Sequence, residues 1–142
     1  MTSEHLESLS VGDSAPPLVV SDVDRIDFVK YAGASGDFNP MHVVEPAAID
    51  AGRESVFGPG MLTAAFVSSY VADWFGLENV ARLRTRFEAL LWPGDTVRVS
   101  GEIVERSVED DRTSYEVDLV AENGDGDVLI SGDATIEIDD RP

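Results

Sequence analysis

Apolar residues follow two different periods along the chain, and the change of period divides the chain into two halves. From Val11 to Phe75 they occur at helical or loop spacing. From about residue 82 to residue 138 they alternate with polar residues. A period near 3.6 is typical of helices and a period of 2 of strands, so the first half predicts helices and the second a sheet.

The first half predicts a short strand and then three helices. The strand is expected at Leu18 to Val20, and a cap at Ser21-Asp22 begins a helix that runs to about Ala34. Ile26, Val29 and Lys30 have helical spacing in that helix, and Gly33 and Gly36 end it. A short second helix is expected over 45–51, with Pro46 in its first turn. After the turn 58–60, residues 61–75 are apolar on nearly every side, which predicts a buried helix that stops at Gly76.

The second half predicts four strands in succession, and turns at 93–95 and 123–126 separate some of them. One apolar face of this sheet needs a cover, and the long apolar helix supplies it. The pattern therefore predicts an α+β fold in which a long helix packs on an antiparallel sheet of about five strands, counting the early one. The residues expected on the apolar face are Leu83, Thr85, Phe87, Ala89, Leu91, Val97, Val99, Gly101, Ile103, Tyr115, Val117, Leu119, Ala121, Val128, Ile130, Gly132, Ala134, Ile136 and Ile138.

Length and composition indicate one domain over residues 1–142, with residues 1–9 expected to be frayed. The absence of cysteine excludes disulfides, thiolate metal sites and a cysteine nucleophile. The polar, acidic N-terminus is unlike a signal peptide, and the longest apolar stretch is too short to span a bilayer. We therefore expect a cytoplasmic protein.

The formal net charge is −18, and Lys30 is the only lysine. An acidic surface repels phosphates and anionic lipids, so we expect neither nucleic acid nor a membrane as partner. The acidic residues are spread along the chain, which favours adaptation to a salt-rich cytoplasm over an acidic tail that binds a basic partner. Molar salt screens the self-repulsion of such a surface, because the Debye length falls to about 3 Å.

His42 is the candidate for acid–base chemistry, because His5 lies near the N-terminus without a comparable setting. It shares the loop 36–42 with Asp37, and Asn39-Pro40 between them restrains the backbone. Such a loop is also ordinary turn chemistry, so the pair alone does not establish a site. The turn 58–60 adds a second element: backbone N–H groups at a helix start can hold an oxyanion, and Gly60 lets a carbonyl approach closely.

Three segments together resemble the MaoC-like dehydratases and (R)-specific enoyl-CoA hydratases. Residues 34–42, Ala-Ser-Gly-Asp-Phe-Asn-Pro-Met-His, are similar to the hydratase motif of that family. Residues 60–63, followed by Ser68, are similar to its central helix, and residues 92–97 to a turn between its strands. The resemblance covers about residues 10–138. It implies a hot-dog fold, normally dimeric, and an acyl-CoA or acyl-carrier-protein thioester as substrate, without a metal or redox cofactor.

The resemblance also implies roles for individual residues. Asp37 and His42 match the catalytic pair, and Asn39 matches a residue that shapes the catalytic loop. Gly60 matches the glycine whose N–H binds the thioester oxygen. Ser68 matches a serine that hydrogen-bonds within the active site. The expected reaction is (R)-specific hydration of trans-2-enoyl-CoA, or the reverse dehydration of a 3-hydroxyacyl thioester.

The chain departs from the family pattern at Pro59, where many relatives have histidine. Proline has no N–H to donate, whereas the N–H of Gly60 is retained. We expect this change to affect substrate preference rather than to abolish activity.

Two other functions remain open at this stage. The chain could be the catalytic subunit of a heterodimer, since it keeps both residues of the pair. A hot-dog thioesterase usually has its carboxylate on the long helix, where this chain offers only Asp73. Arg82, Arg84 and Arg86 lie on one strand face and are candidates for guiding the polyanionic CoA, but pairing with neighbouring acidic residues is the favoured interpretation.

Overall fold

The computed structural model describes residues 3–139, which contain four α-helices and five β-strands. Their bounds in chain order are α1 Ser3–Glu7, β1 Leu18–Val23, α2 Arg25–Ser35, α3 Glu45–Asp50, α4 Gly60–Phe75, β2 Val80–Phe87, β3 Asp95–Glu109, β4 Arg112–Glu122 and β5 Val128–Asp139. The strands form one antiparallel sheet in the order β1-β3-β4-β5-β2. Helix α4 contacts β2, β3, β4 and β5. The predicted α+β fold, with a long helix wrapped by an antiparallel sheet of five strands, is confirmed.

The core lies between α4 and the concave face of the sheet. Alternate residues of β3, β4 and β5 are buried there, because side chains along a strand point to opposite faces. On α4, Val67, Val71 and Phe75 lie almost wholly in this core. The alternation in the second half of the sequence therefore identified the buried face of these three strands, except at the start of β5, where Val128 is exposed and Leu129 is buried. Strand β2 ends at Phe87, four residues before the end of its predicted apolar pattern.

Helix α2 begins later than predicted. Strand β1 continues to Val23, so Ser21 and Asp22 belong to the strand, and Asp24 is the N-cap. The Asp24 carboxylate accepts from the N–H of Arg25, and the Asp27 carboxylate accepts from the N–H of Asp24. This reciprocal cap satisfies helix-start donors that Asp22 is too far away to reach.

The buried face of α2 does not contain the residues whose spacing indicated the helix. Phe28 and Ala32 are buried, whereas Ile26 and Val29 are 59% and 50% exposed. The helical spacing of apolar residues in the sequence is compatible with burial of either face of this helix. Gly33 lies within the helix, and Gly36, with a φ of 76°, ends it.

The N-terminal segment, which is expected to be frayed over residues 1–9, includes a short helix. Residues 3–7 form α1, and Leu6 is buried against the core. The Tyr115 hydroxyl, on β4, donates a hydrogen bond to the carbonyl of Leu6 at 2.7 Å. This contact joins residues far apart in the chain, so the local sequence did not predict it. Residues 1 and 2 lie outside the described residues. Among residues 3–139 no helix has the length and apolar character needed to cross a membrane.

Candidate active site

The loop after α2 is held by hydrogen bonds between its own side chains and backbone. The Asp37 N–H donates to Ser35 Oγ, and Asp37 Oδ1 accepts from the N–H of Asn39. Asn39 Oδ1 accepts from the N–H of Met41 and so caps a single 3₁₀ turn, Pro40–His42. Asn39 itself is extended, with a ψ of 122°, as its position before proline predicted. The loop therefore fixes the positions of Asp37 and His42 relative to each other.

His42 is only 7% exposed, and a backbone contact orients its ring. Nδ1 lies 2.8 Å from the carbonyl oxygen of Phe57, and the ring packs edge-on against that of Phe57 with centroids 5.0 Å apart. A carbonyl can only accept, so Nδ1 carries the proton and Nε2 of the neutral ring keeps a free lone pair. His42 is therefore held in the tautomer that a general base requires.

The free nitrogen of His42 faces the carboxylate of Asp37. Nε2 lies 3.9 Å from Asp37 Oδ2. This separation is too long for a direct hydrogen bond, and it suits a water molecule that contacts both atoms. The Asp37 side chain is 46% exposed, so a ligand can reach it.

The start of α4 approaches this pair from the other side. Gly58 is packed so closely that an added Cβ would lie 2.9 Å from the Leu91 side chain, and its N–H donates to the Leu91 carbonyl. Pro59 is the N-cap and supplies no side-chain cap for the helix. In the first turn of α4 the Leu62 N–H donates to the Pro59 carbonyl at 3.0 Å, whereas the N–H groups of Gly60 and Met61 have no partner among residues 3–139 and lie at the partially positive end of the helix. An added Cβ on Gly60 would lie 3.1 Å from the Phe87 ring, so a glycine fits here best.

Asp37 and Gly60 line one cavity of about 310 Å³. Most of its wall is apolar, and this suits an acyl chain beside a few polar groups. The cavity is lined by Asp37, Phe57, Gly58, Gly60, Met61, Thr63, Phe87, Ala89, Leu90, Leu91, Leu129 and Ile130.

The structure does not bring Ser68 to this cavity. Ser68 is exposed on α4, two turns beyond Gly60. Of the aromatic residues that could border a pocket, Phe57 lines the cavity, whereas Phe38 is exposed and Trp74 is buried in the core. Phe66 lines a separate groove beside α2.

The sequence did not identify Thr63 or Phe87 as cavity residues. Thr63 lies three positions after Gly60, a spacing that puts two helical residues on one face. This spacing in the sequence could have identified Thr63 as a neighbour of Gly60 in the cavity wall. The position of Phe87 depends on the end of β2 and had no local signal.

Arg82 and Arg84 lie outside this site and pair with acidic residues, as the favoured interpretation predicted. Arg84 Nη2 lies 3.0 Å from Asp133 Oδ1, and Arg82 Nη2 lies 3.5 Å from Glu116 Oε2. The hydrogen bond that Arg84 donates to the Asp133 carboxylate raises the pKa of Arg84 above its ordinary value. A larger hollow of about 580 Å³ is lined in part by Arg84, Arg86 and Asp133. No helix start lines this hollow, whereas the smaller cavity is lined by Gly60 at the start of α4 and by Asp37, whose carboxylate faces His42, so the smaller cavity is the better candidate for catalysis.

No group of three or more histidine, aspartate or glutamate side chains within residues 3–139 is arranged to hold a metal ion.

The sequence matches a family model described as a MaoC like domain over residues 12–124. A curated relative, peroxisomal multifunctional enzyme type 2 of Mus musculus, is 28% identical over 134 residues. That match covers 92% of this chain but only 17% of the mouse enzyme, so this chain corresponds to a small part of it.

Solved structures share the fold. The R-hydratase PhaJ1 from Pseudomonas aeruginosa has a TM-score of 0.80 at 24% identity, covering 95% of this chain and 85% of its own. The ChsH1-ChsH2 complex from Mycobacterium tuberculosis has a TM-score of 0.77 at 25% identity, covering 91% and 98%. These similarities confirm the hot-dog fold.

Proposed function

The chain belongs to the MaoC-like dehydratase family, and from that premise we propose that it adds water to trans-2-enoyl-CoA to give the (R)-3-hydroxyacyl thioester, or catalyses the reverse dehydration. One observation carries the proposal. Asp37 Oδ2 and His42 Nε2 face each other at 3.9 Å, and Asp37 lines the same apolar cavity as Gly60. The (R) stereochemistry rests on the motif resemblance.

The start of α4 polarises the substrate in this proposal. The thioester carbonyl accepts a hydrogen bond from the Gly60 N–H, and the partial positive charge of the helix start stabilises the enolate-like oxygen. Losing one such donor typically raises the barrier by roughly 2.7–4 kcal/mol.

The pair activates one water molecule held between Asp37 and His42. As the water oxygen bonds to C3, the pair removes one of its protons, and the electrons of the C2–C3 double bond move towards the carbonyl. A proton then returns to C2, so the product contains all the atoms of the water. Both groups lie on one loop and act from one side of the alkene, which fits syn addition. Acid–base assistance of this kind raises the reaction rate by roughly 10²–10⁴-fold. The scheme uses no metal or redox cofactor.

The direct test is an assay of the purified protein with crotonyl-CoA and longer trans-2-enoyl-CoA esters. Hydration removes the enoyl absorbance without releasing thiol, and chiral analysis should find the (R) product. Release of thiol would identify a thioesterase, and retention of both the enoyl absorbance and the thioester would reject the proposal. The corresponding acyl-carrier-protein thioesters, assayed in parallel, would establish the preferred carrier.

We also propose that the active assembly is a homodimer. Strand β2 is an edge of the sheet, so one side of its backbone is available for pairing. Phe38, Met61 and Phe87 are more than half exposed near the cavity, and a partner could cover them. The role of Ser68 stays a prediction, and a partner against the exposed face of α4 would change its surroundings. Size-exclusion chromatography with mass measurement separates a homodimer from a monomer, and co-purification of a related chain would indicate a heterodimer.

The acidic composition supports a proposal about working conditions. Protein with a net charge of −18 should gain stability from KCl, because salt screens repulsion between its carboxylates. Equal unfolding temperatures at low and molar KCl would reject adaptation to a salt-rich cytoplasm.

A further inference from the structure

Thr63 is a buried polar residue that the proposed mechanism does not use. It is only 3% exposed, and it lines the cavity together with Asp37 and Gly60. Within residues 3–139 its hydroxyl makes no hydrogen bond. Buried hydroxyls nearly always have a partner, so an unpaired hydroxyl in a cavity wall indicates a group that meets its partner in the ligand.

Helix geometry places Thr63 and Gly60 on one face at the start of α4, and both residues line the cavity. Side chains on a helix tilt towards its N-terminus, and residues three apart are neighbours on one face. Thr63 therefore leans back over Gly60, which has no side chain to block it. A ligand oxygen at the start of α4 can then meet both the backbone donor of Gly60 and the side-chain donor of Thr63.

We propose that Thr63 Oγ1 donates a second hydrogen bond to the thioester carbonyl oxygen, beside the bond from the Gly60 N–H. This inference rests on the proposed hydratase function and adds a substrate-contacting residue to it. The carbonyl oxygen gains negative charge in the transition state, so the second donor acts mainly on kcat rather than on KM. This second donor supplements the N–H of Gly60. The preceding residue, Pro59, is the N-cap and has no N–H to donate.

The test compares Thr63→Val, which keeps the shape but removes the hydroxyl, with Thr63→Ser, which keeps the hydroxyl. With the enoyl-CoA ester that the wild type hydrates best, Thr63→Val should lower kcat by roughly 10²-fold and leave KM nearly unchanged. Its unfolding temperature should not fall, because no hydrogen bond within the protein is lost. Thr63→Ser should retain most of the activity. Thr96→Val, on β3 and outside the cavity lining, is the matched control.

Wild-type kcat in Thr63→Val would overturn the inference and leave the hydratase proposal standing. A loss of activity that follows a fall in unfolding temperature, or that Thr63→Ser shares, would also overturn it, because it would show a structural role. No hydration by the wild-type protein at any chain length would overturn both proposals.

Discussion

The outer face of the sheet and the rim of the cavity both carry polar side chains, but their hydrogen bonding differs. On the sheet, Arg82 and Arg84 of β2 form ion pairs with Asp133 on the adjacent strand β5, and Arg82 also pairs with Glu116 on the next strand, β4. At the rim, hydrogen bonds to the backbone fix the geometry of Asp37 and His42, and they leave Nε2 of His42 facing the carboxylate rather than bonded to it.

The difference shows which polar groups are available for chemistry. Exposed side chains that form ion pairs with one another contribute little to the free energy of folding. Polar groups that are held rigidly and still have unused hydrogen-bonding capacity can bind and activate a ligand. A count of charges would favour the arginine face, whereas the hydrogen-bonding pattern favours the cavity.

The strongest test of this contrast is removal of either member of the pair. Asp37→Asn and His42→Gln should each lower hydration by roughly 10²–10⁴-fold, because the water loses its proton acceptor. Steady-state assays with crotonyl-CoA measure this. Asp37→Asn should keep the unfolding temperature, since the side chain is half-exposed and its amide oxygen can still accept from Asn39. Full activity in either folded variant would contradict the assignment.

A smaller effect is expected at the helix start. In Gly60→Ala the new methyl group lies 3.1 Å from the Phe87 ring and must displace it within the cavity wall. We expect a loss of roughly 10-fold or more in kcat/KM, without loss of stability, because alanine favours a helix by about 1 kcal/mol over glycine. Gly33→Ala, inside α2 with open space around it, is the matched control and should leave activity unchanged. Equal activities in the two variants would contradict a close approach of the substrate to the Gly60 α-carbon, since the backbone N–H is present in both.

The arginine face should respond far less. Arg84→Ala removes an exposed side chain whose partner, Asp133, also has Arg82 nearby. Surface pairs contribute little, so the KM for the CoA ester and the unfolding temperature should both stay close to wild type. A clear rise in KM would show instead that this face guides CoA. It would contradict the conclusion that the paired arginines take no part in substrate binding.

The smallest expected effect concerns the ion pair between Arg25 at the start of α2 and Glu45 at the start of α3. The loop that carries Asp37 and His42 lies between these two helices. The hydrogen bond from Arg25 lowers the pKa of Glu45 below its ordinary value of 4.5. A lowered folded-state pKa stabilises the protein above pH 4.5, and this contribution disappears as the pH falls through the folded-state pKa. Glu45→Gln should therefore be slightly less stable than wild type at pH 7, and the difference should be smaller at pH 3. Urea unfolding at the two pH values measures this, and an unchanged difference would contradict the pairing.

Local signals predicted much of the fold and the position of the loop. The alternation of apolar residues in β3, β4 and β5 is a direct consequence of strand geometry, and the apolar segment 61–75 could only be a buried helix. The predicted start of α2 was wrong because two capping sites were locally plausible, and the spacing of apolar residues did not identify the buried face of the helix. Tertiary contacts selected Asp24 as the cap and Phe28 for the core.

The sequence by itself determined the α+β architecture, the loop that carries Asp37 and His42, and the glycine at the start of α4. These follow from periodicity, turn chemistry and motif spacing, all of which act over a few residues. Only the tertiary structure decided that the Phe57 carbonyl orients the His42 ring and that Thr63 shares a cavity with Asp37. It also decided which acidic residues form ion pairs with Arg82 and Arg84. Such contacts join residues that are distant in the chain, and the paths of the intervening loops and strands bring them together.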